Sequence, residues 1–221
     1  YDEGIKKSKS EYIFFTGCDV EAKNDMLDRL VGFMEKNKNV MLAAPKYTDF
    51  YSRKKIDLVG TWLSRSFYSG AFKDNTLGNN FVEIPYIGTG LIRRDIIRKF
   101  GFLFDHDYFF YGEDVDLGLR IRLLNFKVVY IPDSIIYHKG SLSRKIHRSY
   151  YLTFLMERNL MNTFLKILYP KNIILLTPYV LFMRVVAILK DILTFEFMDA
   201  FSRLMAIFWV IFHFKLIYKK R

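Results

Sequence analysis

The sequence predicts an α/β layered fold followed by an apolar helical tail. Up to about Ser149, short apolar runs alternate with segments of helical period, the pattern of strands and helices in layers. From about Tyr150 the composition shifts to long apolar stretches. At 221 residues the chain is long enough to bury a sizeable core. The expected division is therefore 1–149 for the α/β part and 150–221 for a membrane-associating helical region.

The elements follow in order. "EYIFFTG" is apolar, aromatic and closed by a glycine, which predicts a strand. "NDMLDRLVGFMEKN" places Met26, Leu27, Leu30, Val31 and Met34 at helical spacing, with Asn24 or Asp25 as N-cap. "VMLAAPKY" predicts a short buried strand stopped by Pro45. "RRDIIRKFG" predicts a short helix closed by Gly101. "EDVDLGLRIRLLN" predicts a helix whose acidic first turn suits the macrodipole. "KVVYIP" predicts a strand ended by Pro132, and "SIIY" is strand-like in turn. No internal repeat or low-complexity tract interrupts the series.

A net charge of +11 favours anionic partners: nucleic acid, acidic lipid headgroups or phosphorylated substrates. The aromatics sit in strand and tail patterns rather than among basic clusters, which argues against nucleic acid. The single cysteine, Cys18, excludes an intrachain disulfide and fits a reducing compartment. Tyr1 to Ser10 is polar and charged, unlike a signal peptide, and the start without methionine suggests the middle of something longer.

Two stretches dominate the tail, "NIILLTPYVLFMRVVAIL" (Asn172 to Leu189) and "LMAIFWVIFHFKLIY" (Leu204 to Tyr218). Each falls slightly short of the about 20 apolar residues that a spanning helix needs. The first contains Pro178 and Arg184, the second His213 and Lys215, and the chain ends "YKKR". The alternatives are buried core helices, interfacial helices or a short re-entrant hairpin, and spanning helices. Interfacial or partly inserted helices fit best, with apolar bodies and Trp, Tyr, Lys and Arg at the edges.

Several residues are candidates for chemistry. Asp19 lies just past a strand end, where open α/β sheets bind ligands; it either holds a divalent cation that bridges a diphosphate or makes an ordinary turn. Gly88, Thr89 and Gly90 form a glycine loop that lets backbone approach a ligand, or a plain tight turn. Arg93 and Arg94 either meet phosphate or form a solvated helix face. Glu113 and Asp114 open a helix, where a carboxylate either caps it or takes a proton from an attacking hydroxyl. His138 follows a strand and is either a metal ligand with Asp19 or a satisfied strand-end histidine. With four scattered histidines and one cysteine, no zinc-type cluster is spelled out.

Taken together, "GIKKSKSEYIFFTGCDVE" and "YIGTGLIRRDIIRKFGFLFDHDYFFYGEDVDLGLRIRLLNFKVVYIPDSIIYHKGS" resemble the family 2 glycosyltransferases of GT-A fold, in particular their rhamnosyltransferase-like branch. The likeness runs from about Gly4 to Arg158. It implies a GT-A (Rossmann-like) mixed sheet. It also implies that Asp19 contacts the metal and the diphosphate of a nucleotide-sugar donor, that Asp114 of the Glu113–Asp114 pair is the catalytic base, and that His138 completes the site of a divalent metal, Mg or Mn. Gly88, Thr89 and Gly90 match the loop near donor sugar and acceptor. "ERN" (Glu157, Arg158, Asn159) resembles a helix element after the catalytic residues, without an assigned role.

The implied reaction is inverting sugar transfer by direct displacement onto a hydroxyl, on a glycan or lipid-linked acceptor of polysaccharide or cell-envelope biosynthesis. The implied setting is the cytoplasmic face of the cell membrane, with the membrane surface itself as a partner. Two departures from the family pattern stand out. Gly17 occupies the position where the family has Asp or Asn, and about sixty or more residues that would grip the nucleotide are expected ahead of Tyr1. The competing expectation is a non-catalytic, truncated glycosyltransferase fragment acting as a basic membrane-associated protein.

Overall fold

The computed structural model describes residues 2–72, 81–140 and 150–221. They divide into two compact units. One takes Tyr1–Trp62, Gly70–Asp105 and Asp114–Ile146, and the other Leu63–Ser69, His106–Glu113 and His147–Arg221. The boundary expected at 149/150 falls at the edge of a stretch outside the described residues.

The first unit begins with a short helix, α1 (Asp2–Lys7), and then alternates β1 (Tyr12–Phe15), β2 (Val20–Ala22), α2 (Met26–Lys36), β3 (Val40–Asp49) and β4 (Ile56–Leu58). β5 (Gly60–Ser64), β6 (Ser69–Phe72) and β7 (Phe81–Ile84) form a three-stranded sheet in the order β6-β5-β7. β8 (Gly90–Arg93), α3 (Arg94–Phe100), α4 (Glu113–Leu123) and β9 (Lys127–His138) complete the series. The main sheet has the order β1-β8-β3-β9-β2, with β4 added beside β3. It is mixed: β3 and β9 run parallel, and the other pairs are antiparallel.

Helix α2 shows why the elements assemble. Met26, Leu30 and Met34 recur every fourth residue and are buried against Val40, Ala43 and Tyr47 of β3, Leu91 of β8, and Ile131 and Ile136 of β9. Each such side chain contributes about 1.5–3 kcal/mol by leaving water. Leu27, at the same period on paper, is exposed. Asp25 is the N-cap residue but makes no side-chain cap bond; its carboxylate pairs with Arg29 at 2.7 Å. α3 ends at Gly101 as expected.

The two prolines do not end their strands. β3 continues through Pro45 to Asp49, and β9 through Pro132 to His138. The ladder instead breaks between them: Pro45 pairs with Ile131, while Lys46 pairs with Ile135. Proline lacks the ladder N–H, so the irregularity is where it costs least. Buried Ser134, inside that bulge, donates to the Met26 carbonyl at 3.0 Å and pins it to the start of α2. The bulge therefore sets the register of the last strand segment, which ends at His138.

Arg93 and Arg94 are structural rather than phosphate-facing or solvated. Arg93 is buried and donates to the carbonyls of Met34 at 2.6 Å and Val40 at 3.2 Å, capping the end of α2. Arg94 donates to the Ser10 and Ser8 carbonyls at 2.6 and 2.7 Å and fastens the segment before β1.

The second unit is helical: α5 (Tyr150–Ile167), α6 (Pro170–Leu193) and α7 (Phe197–Tyr218). α6 and α7 have 24 and 22 residues, longer than the apolar runs suggested, and each is long and apolar enough to cross a membrane by length and composition. They are not buried core helices, because most of their large apolar side chains are exposed.

Candidate active site

Asp19 and His138 meet at the ends of two paired strands. β2 runs antiparallel to β9 with Val20 opposite His138, so the residue before Val20 falls beside the histidine ring. His138 Nε2 lies 3.2 Å from Asp19 Oδ2, and the Lys139 N–H donates to the Asp19 carbonyl at 3.0 Å. The aspartate side chain is 40% exposed and that of the histidine 14%. The pair is thus reachable from solvent on the carboxylate side and held by protein on the imidazole side.

Gly17 explains how Asp19 takes this position. A Cβ at residue 17 would lie 2.8 Å from Asp19 Oδ1, so any side chain there would force the carboxylate to move. The absence of a side chain at residue 17 leaves the space into which Asp19 folds.

The glycine loop is tied to the pair through a residue that the sequence did not mark. Tyr47, on β3, packs its ring edge-on against the His138 ring with centroids 5.4 Å apart. Its hydroxyl donates to the Ile87 carbonyl at 2.6 Å, immediately before Gly88. Gly88 has φ +62° and Thr89 is buried. Because Phe15 pairs with Gly90, Thr16 falls opposite Thr89, and their hydroxyls are 3.0 Å apart. Asp19, His138, Gly88, Thr89 and Gly90 therefore sit on one connected framework of strand ends within the first unit.

Asp114 stands apart from that framework, in the first turn of α4. Its carboxylate accepts from the Val115 N–H at 2.8 Å. Its side chain still reaches the surface, yet protein packs closely around it, and burial pushes its pKa up to about 6. A carboxyl at that value is ionised at neutral pH but is a stronger base than an ordinary aspartate. Glu113, half-buried, is the first residue of α4. Asp116, two residues after Asp114, is fully buried and pairs with Arg120 at 2.8 Å, whose guanidinium lies over the rings of Phe100 and Phe102. It has a structural role.

In the second unit, Arg158 and Asn159 of "ERN" hold the segment that leads to Glu113, while Glu157 pairs with Arg184 and Arg203. Asn159 donates to the carbonyls of Phe110 and Tyr111 at 3.0 and 2.6 Å, and Arg158 to that of Asp107 at 2.6 Å. Gly112 follows at φ +80°, a conformation that other residues rarely adopt, and a Cβ there would press on Asn159 Cβ at 3.3 Å.

The described residues contain no group of three or more His, Cys, Asp or Glu side chains able to hold a metal. The Asp19–His138 pair fits a different arrangement, in which protein supplies two donors and a bound diphosphate and water supply the rest. Neighbouring ligands at about 2.1 Å from an octahedral ion are about 3 Å apart, which matches the separation of this carboxylate and imidazole.

No family model matches the chain, and no curated protein matches it by sequence. Solved structures do. The fold is that of GT-A glycosyltransferases, a mixed α/β sheet with two apolar C-terminal helices added. GalNAc-T7, solved with UDP, GalNAc and Mn2+, superposes with a TM-score of 0.52 at 14% identity, over 73% of this chain and 33% of that one. The mannosyltransferase PcManGT of Pyrobaculum calidifontis, solved with GDP-Man and Mn2+, aligns at 12% identity and a TM-score of 0.49, over 95% of this chain and 53% of that one. The chain thus spans about a third and about half of the lengths of these two proteins.

Proposed function

We propose that the chain is the catalytic part of an inverting, family 2-like glycosyltransferase that moves a sugar from a nucleotide-sugar donor to a hydroxyl of a glycan or lipid-linked acceptor. The observation that carries the reading is the 3.2 Å Asp19–His138 pair at the strand ends of a GT-A fold. Asp19 and His138 would hold a divalent metal, Mg or Mn. When bound, that ion would supply positive charge against the leaving diphosphate. The loop Gly88–Gly90, fixed by Tyr47 and Thr16, would line the donor sugar. Asp114 would take the proton of the acceptor hydroxyl as that oxygen attacks the anomeric carbon and the nucleoside diphosphate leaves. Its raised pKa supports the role of base. Glu113 would flank it without taking the proton.

The exposed Cys18 suits a reducing compartment, and the apolar helices suit an acceptor carried on a membrane. We therefore place the enzyme at the cytoplasmic face of the cell membrane. The test is incorporation of label from a panel of nucleotide sugars into lipid and polysaccharide fractions, with Mn2+ and with a chelator. The reading predicts metal-dependent incorporation that Asp114→Asn abolishes. Incorporation that survives Asp114→Asn would remove Asp114 as the base.

A further inference from the structure

The α6–α7 pair carries two faces of opposite character. One face is apolar and uncovered: Ile174, Leu175, Phe182 and Leu193 of α6 and Ile211 and Phe212 of α7 are 62–81% exposed. A continuous apolar surface on this scale marks a place where something docks.

The other face is held to protein over the second half of α6 and along α7, by charged anchors set among small and apolar side chains. Arg184, fully buried in the middle of α6, donates to the carbonyls of Ser66 and Phe67 and lies over the Tyr68 ring at 4.4 Å. Arg203 of α7 pairs with Glu157 of α5 and with Asp191 of α6. Thr153 of α5 donates to Asp199 near the start of α7, and Arg221 beyond its end donates to the Leu165 carbonyl at 2.7 Å. α5 is thus fastened to α7 from end to end. α5 also holds non-helical backbone at 107–111 through Arg158 and Asn159.

We infer that α6 and α7 lie flat in one leaflet of an anionic membrane, apolar face inward, and do not cross it. In a spanning arrangement the irregular segment 66–68, bound at the middle of α6, would be carried to bilayer depth. Irregular backbone is tolerated at that depth only where protein or water covers it, and the exposed Arg65 beside the segment would meet hydrocarbon. The anionic preference follows from charge. Residues 150–221 hold ten Lys and Arg against four Asp and Glu, a net of +6. Lys171, Lys190, Lys215 and Lys219 are exposed on α6, on α7 and just beyond α7. Long basic side chains at such edges reach headgroups while their stems stay in the apolar layer. The inference does not depend on the catalytic reading.

Flotation of the chain with vesicles of phosphatidylcholine, alone or mixed with phosphatidylglycerol, tests the partner. The chain should float with the mixed vesicles, much less with phosphatidylcholine alone, and less as salt rises. Absence of flotation with either, with self-association covering the face instead, would overturn the inference. Topology is read with a single cysteine between the helices, Glu196→Cys in a Cys18→Ser background, in inside-out vesicles from cells that express the chain. Reaction with a membrane-impermeant maleimide before detergent is added is the expected result. Protection until detergent opens the vesicles would mean that the helices span, and would overturn it equally. Thr194→Cys, in the same connection, repeats the reading should the first variant fold poorly.

Discussion

His138 Nε2 stands 3.2 Å from Asp19 Oδ2 because Val20 and His138 are opposite one another across β2 and β9. The separation in the sequence is bridged by the β2–β9 register alone. Removing either partner should therefore affect metal binding without unfolding the sheet. Asp19→Asn and His138→Ala are each expected to weaken Mn2+-dependent donor binding by about tenfold or more while leaving the thermal midpoint nearly unchanged, as read by calorimetry and thermal denaturation. Losses of about 10–100-fold are usual even for the outer partners of metal ligands.

Asp114 titrates high, and the sign of the pH effect follows. Burial raises its pKa from 3.8 to about 6. A base works only when deprotonated, so transfer should rise as pH increases through about 6 and then level off. Stability moves the other way. The folded chain holds this proton to higher pH than the unfolded chain, so folding weakens between about pH 4 and 6 and stays weakened above. Asp114→Asn should lose transfer by about 10²–10⁴-fold, keep donor binding, remove the rise near pH 6, and melt at the same or a higher temperature at pH 7. Retained transfer, or an unchanged pH profile, would contradict the assignment.

Tyr47 offers a finer test. Its hydroxyl is the link between the His138 ring and the loop that begins at Ile87. Tyr47→Phe keeps the ring and removes the link, which should cost about 1 kcal/mol of stability. The larger effect is expected on the donor KM, because the loop is no longer fixed. A Tyr47→Phe enzyme with unaltered KM would show that the loop does not need this anchor.

Glu157 lies against the buried guanidinium of Arg184 at 3.4 Å and the half-buried one of Arg203. Glu157→Ala leaves Arg184 without its carboxylate, while Arg203 keeps Asp191, and should destabilise the helical unit by about 3–5 kcal/mol in chemical denaturation. The loss should be recorded by a probe in α5–α7. A change below about 1 kcal/mol would mean that the cluster is solvated rather than buried.

Helices α2, α3 and α4 and strands β1, β3 and β9 were legible because their signals are local: Met26, Leu30 and Met34 at helical spacing, Gly101 closing α3, and the acidic first turn of α4; β2 and β4 to β8, short and without a clear pattern, were not. The strand ends were not. Pro45 and Pro132 each look like a stop in isolation, and only the parallel ladder, in which Pro45 pairs with Ile131 and Pro132 begins the bulged residues, turns two stops into one bulge. Tyr47 reads as one more apolar strand residue in "VMLAAPKY", because its meeting with His138 depends on a partner strand far along the chain. Arg93 and Arg94 misled for the same reason: the carbonyls that they bind belong to α2, β3 and the segment before β1. Arg158 and Asn159 of "ERN" had no local signal for their role, which is to hold backbone some fifty residues earlier.

The most direct test of the central claim is calorimetric titration of the chain with UDP and with dTDP, each with and without Mn2+. The account predicts binding of at least one of them that requires the metal and is lost in Asp19→Asn. Metal-independent binding, or binding that Asp19→Asn leaves intact, would contradict the assignment of Asp19 and His138 as the donor site.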